Sequence, residues 1–118
     1  MQSVGISLKD FLLGKQGIDD IFRDKAKGKE EKLKEFLLKI AVEDQNLVEG
    51  YADRLAKYFN TMVHQGIVDN NATAFARYFA EQCNAVSSDS YIRTFRNSKG
   101  RNPWDKESEG IIVNLMNS

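Results

Sequence analysis

Apolar side chains recur at intervals of three and four from Leu33 to Val86, and the only proline, Pro103, lies beyond that run. Such a pattern gives each helix one buried stripe, whereas strand pairing would scatter the same residues over two faces. The expected fold is all-α: a small helical bundle of four to five principal helices with a helix-turn-helix-like C-terminal half. A chain of 118 residues can bury one good core but not two. One domain over 1–118 is therefore expected, with an N-terminal arm and connector at 1–28 and the helical core at 29–118.

Along the core, Leu33, Phe36, Leu37, Ile40 and Ala41 mark a first amphipathic helix, with Lys32, Lys34, Glu35 and Lys39 between them. After a break near 43–46, Leu47, Val48, Tyr51, Leu55, Phe59, Met62 and Val63 predict a second helix that stops near Gly66. Asp69, Asn70 and Asn71 are cap candidates for a third helix over about 71–86, in which Phe75, Phe79, Cys83 and Val86 recur beside the small residues Ala72, Ala76 and Ala80. A turn at 87–89 precedes a fourth helix near 90–97. Asn102 and Pro103 read as the start of the last helix, since proline at the first helical position loses no needed N–H. Trp104, Ile111 or Ile112, and Leu115 then share one face.

The N-terminal region reads differently. Ser7 is placed to cap a short helix through Leu8, Phe11 and Leu12 that Gly14 ends, and a second turn follows at Ile18–Phe22. Val4, Ile6, Leu8, Phe11, Leu12 and Leu13 make the arm apolar. It either folds back on its own core or docks into a second copy or another protein, giving a homo-oligomer or a protein partner. "RDKAKGKEEK" reads as a polar connector without tertiary contacts.

Charge is balanced overall, with 17 basic and 17 acidic side chains, which argues against a globally basic nucleic-acid binder. Residues 89–106, "DSYIRTFRNSKGRNPWDK", hold five basic and two acidic groups and form the net-positive block of the chain. Wound at about 100° per residue, Tyr91, Ile92 and Phe95 fall on one side. Ser90, Arg93, Thr94 and Asn97 fall on the other, and Arg96 lies on a flank. Lys99, Arg101 and Lys106 carry the positive charge through the following loop. Arginine's planar fork suits phosphate or guanine, and the hydroxyl and amide groups suit base edges or phosphate oxygens. These eight residues are the candidate nucleic-acid contacts, with double-stranded DNA as the partner. The competing reading is an ordinary solvated surface.

From about Tyr51 onward, a little over half the chain resembles the C-terminal region of RteC-type regulators of Bacteroides conjugative transposons. "HQGIVDNNAT", "AFARYFAEQ", "YIRTF" with its basic loop, and "PWDKESEGIIVNLM" carry the resemblance. It implies DNA binding in the control of element excision, hence transcription regulation on a mobile genetic element. Tyr91 and Phe95 would be structural, and Arg93 and Thr94 contacts. The sequence departs from that pattern at Gly110 and in having no basic residue after Lys106.

Other chemistry finds few candidates. His64 is the only histidine, and near a helix C-terminus it reads as a capping residue. The adjacent pairs Asp19-Asp20 and Glu30-Glu31 read as solvated charge, and "GKQGIDD" lacks phosphate-loop spacing. No enzyme activity, cofactor or metal is expected. The lone Cys83 reads as a small core residue in a reducing compartment. With no signal-peptide pattern and no apolar run near 18 residues, the expectation is a cytoplasmic protein that does not enter membranes. The alternative function is a helical protein-interaction or assembly module that does not bind nucleic acid.

Overall fold

Four phenylalanines from three helices meet at the centre of the molecule. The computed structural model describes residues 17–85 and 87–118, and the N-terminal arm with its expected Ser7-capped helix lies outside them. The helices are α1 (Ile18–Ile21), α2 (Glu30–Asp44), α3 (Asp53–His64), α4 (Ala72–Gln82), α5 (Ser88–Lys99) and α6 (Lys106–Asn117), with a 3-10 turn at Asp24–Ala26. The fold is an all-α bundle, and five of these helices form its body.

Phe59 on α3 stands 4.7 Å from Phe75 on α4 and 5.6 Å from Phe95 on α5, measured between ring centroids. Phe75 and Phe95 are 5.5 Å apart, and Phe79 joins Phe75 at 4.9 Å. All four are fully buried, and tilted ring pairs of this kind add to what burial alone contributes. The stripe from α2 (Leu33, Leu37, Ala41) and the α3 residues Leu55, Ala56 and Met62 belong to the same core. α4 and α5 make the most extensive helix pair, followed by α3 with α5; Ala76 and Ala80 are both buried on α4.

The helix ends follow from local chemistry. α3 closes on Gly66 at φ +76°, with the Gly66 N–H donating to Val63 and the Ile67 N–H to Met62. That double closure needs a left-handed residue, which glycine supplies at little cost. α4 repeats it with Asn84 at φ +53°, where the Ala85 N–H donates to the Ala80 carbonyl. Asn84 therefore ends α4 at Gln82, short of the expected Val86. Serine starts the next helix: the Ser87 hydroxyl accepts from the Ser90 N–H, and α5 runs over 88–99, enclosing the expected 90–97.

Several expectations change. α3 begins at Asp53, six residues after the expected Leu47, because Gly50 sits at φ +71° and turns the chain. Leu47 and Val48 are exposed as a result, Val48 at 96%. α6 starts at Lys106, not at Pro103: the Asp105 carboxylate accepts from the Ser108 N–H and takes the cap position. Ile112 is the buried one of its pair, and Trp104 stays outside the helix.

The expected free connector is tied into the fold. Ala26 is fully buried, and the Lys25 ammonium donates to the Gln65 carbonyl at 2.9 Å. Phe22 forms an isolated antiparallel bridge with Val68, in which the Arg23 N–H donates to Ile67 and the Asp69 N–H to Ile21. The 3-10 turn brings one small apolar side chain inward from a run of charges, which periodicity over so short a stretch does not reveal. Ile18 and Ile21 are core residues too.

Ion pairs connect α2 to its neighbours. Lys34 reaches Glu31 at 2.6 Å and Asp19 at 2.9 Å, and these carboxylates hold its pKa above the usual lysine range. The buried Asp44 carboxylate accepts from Arg54 Nε and Nη2 at 2.8 and 2.7 Å, joining the end of α2 to α3. A two-point guanidinium–carboxylate pair is the geometry that best offsets the cost of burying a carboxylate.

Candidate nucleic-acid interface

α5 is anchored from beneath before it presents anything outward. Tyr91 and Phe95 are buried, as the helical winding predicts. Ser98, also buried, donates its hydroxyl to the Asp53 carboxylate at the start of α3. The Asn60 amide on α3 donates to the carbonyls of Lys99 at 2.9 Å and Asn102 at 2.8 Å. Asn102 in turn donates to the Ser98 carbonyl at 2.8 Å. Carbonyls that a helix end leaves without partners are thus satisfied by side chains, and the last turn of α5 is fixed to α3.

On the outer side, Arg93, Arg96 and Asn97 are exposed and line a shallow depression with Asp89 and Ile92. Arg96 and Lys99 also border a recess of about 660 Å³ whose other wall is residues 69–73, the start of α4. There the Asn71 carboxamide accepts from the Ala74 N–H at 3.1 Å. The free N–H groups and dipole of a helix start favour an anion, and the two cations across the recess add to that field. Asp69 on the rim opposes it, although Arg23 lies 3.8 Å from its carboxylate. Lys99 is half-buried, its ammonium 6.0 Å from the Phe59 ring centroid.

The other candidate residues are placed differently. Thr94 is half-buried and accepts a hydrogen bond from the Tyr51 hydroxyl at 3.1 Å, so it braces α5 instead of joining the exposed stripe. Ser90 is exposed but borders a separate cavity beside Tyr51 and Tyr91. Arg101 is exposed in the loop, and Lys106 is exposed in the first turn of α6. Arg93, Arg96, Asn97 and Lys99 are the members that share a contiguous surface.

Sequence reading named 69–71 only as helix caps and did not join them to α5. Their meeting depends on how α4 packs on α5, which no local pattern encodes. Asn60 was missed for the same reason: an asparagine that donates across 39 and 42 positions carries no periodic mark, and Asn102, read as a helix start, instead donates to the Ser98 carbonyl.

The remaining chemical candidates have structural positions. His64, expected to cap α3, stacks on Trp104 with ring centroids 3.7 Å apart and planes 12° from parallel. Cys83 is buried at the end of α4, and burial pushes its thiol pKa up. Among the described residues, no three His, Cys, Asp or Glu side chains form a group able to hold a metal ion. No helix among them is long and apolar enough to cross a membrane.

No family model, curated protein or solved structure matches this chain.

Proposed function

We propose that the protein binds double-stranded DNA without catalysis, in the cytoplasm, in the regulation or mobilisation of a genetic element. The observation that carries this reading is the recess in which Arg96 and Lys99 face the start of α4. A backbone phosphate there would accept hydrogen bonds from Arg96 and from the helix-start amides while meeting the Lys99 charge. Arg93 and Asn97, on the adjoining depression, would then face the duplex next to that phosphate. Phosphate contacts fix orientation, and neighbouring side chains read the bases. The genetic-element context rests on the RteC-type resemblance of the C-terminal half.

Salt-dependent titration of the full chain with a fluorescent DNA duplex tests the proposal. Binding that weakens linearly on a log–log plot of affinity against salt is expected. No binding at low salt would overturn it. Overall charge is zero, so binding here would not follow from bulk attraction alone.

A second reading, a protein-interaction or assembly module, is favoured by the exposed apolar side chains Val42, Leu47 and Val48 around the end of α2. Together with the apolar arm before residue 17, these would serve a protein partner or a second copy. Concentration-dependent association in sedimentation, without DNA binding, would select it.

A further inference from the structure

Lys34, Leu38 and Val42 follow one another at intervals of four along α2 and so form a row on one side of it. At the head of that row Lys34 reaches Asp19 at 2.9 Å, and its ammonium lies 5.9 Å from the Tyr78 ring centroid. Further along, Leu38 is half-buried and Val42 is 44% exposed. Glu31 and Glu35, both exposed, fall within about 60° of Leu38 and Val42 around the helix axis, at 3.6 residues per turn. The row is thus an aliphatic strip with a carboxylate edge.

The Asp19–Lys34 pair also fixes where the N-terminal arm joins the fold. Gly17, two residues before Asp19, is the cap of α1, and sixteen residues precede it. Among those, Leu8, Phe11 and Leu12 are spaced to share one face of a helix, and Lys9 and Lys15 outnumber Asp10. From Lys34 to Val42 is about 12 Å along α2. Residues 14–16 can span about 10 Å, which is enough to bring the apolar residues before them to Leu38 and Val42.

We infer that the arm packs back on its own chain, with Leu8, Phe11 and Leu12 against Leu38 and Val42 and its lysines beside Glu31 and Glu35. A link of three residues holds the arm near this strip at a local concentration of about millimolar, well above that of a second copy in dilute solution. Leu38 and Val42 also make too small a patch for a separate partner, since stable interfaces bury about 800 Å² on each side. The contact lies apart from the Arg96–Lys99 recess and does not depend on nucleic-acid binding. It leaves Leu47 and Val48 as the apolar surface open to a protein partner.

Isotope-edited NOE spectroscopy of the full chain tests the inference. Methyl protons of Leu38 and Val42 should show NOEs to Leu8, Phe11 or Leu12. In an equal mixture of carbon-13-labelled and unlabelled chains, spectra filtered for contacts between copies should show none. Val42→Gln, at an exposed position, should keep the helical circular dichroism and speed amide exchange over residues 8–13 about tenfold, as the loss of one aliphatic contact would. Absence of NOEs between the arm and α2 would overturn the inference. So would NOEs that pass the filter between copies, or unchanged exchange in Val42→Gln.

Discussion

The Asn60 amide holds the Lys99 carbonyl at 2.9 Å, so the last turn of the basic helix is fixed by a neutral side chain on α3. The same amide group also reaches the Asn102 carbonyl. Asn60→Ala should therefore lower stability by about 1–3 kcal/mol, since two partly buried carbonyls lose their donor. Urea denaturation checks this, and an unchanged midpoint would show that the α5 end is not held from α3.

The arginines of α5 should separate binding from stability. Arg93→Ala with Arg96→Ala should change folding by no more than about 0.5 kcal/mol, because both side chains are exposed. With Arg96 on the phosphate and Arg93 facing the bases, the salt slope of DNA binding should fall by about 0.9. Phe95→Ala should instead cost about 3–5 kcal/mol, as it empties a fully buried position. Unaltered DNA binding by a folded double mutant would remove this face from the proposed function.

Gly50 and Gly66 offer a matched pair. Both have positive φ, at +71° and +76°. A Cβ at Gly50 would lie 2.9 Å from Asp53 Oδ2, while one at Gly66 would meet nothing within 4 Å. Gly66→Ala should cost about 1–2 kcal/mol from backbone strain alone. Gly50→Ala should cost more, because it also displaces the carboxylate that accepts from Ser98. Thermal melts of the two variants give the comparison, and a smaller loss at Gly50 would contradict it.

Asp105 should contribute to acid sensitivity. The Ser108 backbone N–H, then the Ser108 side chain and Lys57, hold its carboxyl below the usual range. A pKa lower in the folded state than in the unfolded state means stabilisation that is present above about pH 4. It is lost as pH falls through the lower folded value. Asp105→Asn keeps a capping oxygen without the charge and should show a smaller stability loss between about pH 4 and pH 2. Denaturation midpoints across that range, with the two proteins losing stability in parallel, would refute the assignment.

Much of this architecture was legible because burial and helical period coincide. Leu33, Leu37, Phe59, Phe75 and Phe95 could be placed on inner faces by spacing alone, and the same winding put Arg93 and Asn97 outside. Departures occurred where one residue's backbone overrode the period. Gly50 and Asn84, both at positive φ, set the start of α3 and the end of α4, and neither is distinguished by hydropathy. Ala26 was hidden among charges, and Thr94 looked solvent-facing until Tyr51, 43 positions earlier, was found bonded to it. In the candidate site, the cations could be listed from sequence. Their alignment with the start of α4 could not, because that is a product of tertiary packing.

The shared ring cluster also bears on how the chain is made. During synthesis from the N-terminus, Phe59, Phe75 and Phe79 leave the ribosome before Phe95, so three rings await the fourth. Until α5 is complete, the nascent bundle presents an uncovered aromatic surface, the condition under which intermediates associate wrongly. A stalled or truncated product ending before α5 should therefore be a preferred client for chaperones that recognise aromatic segments.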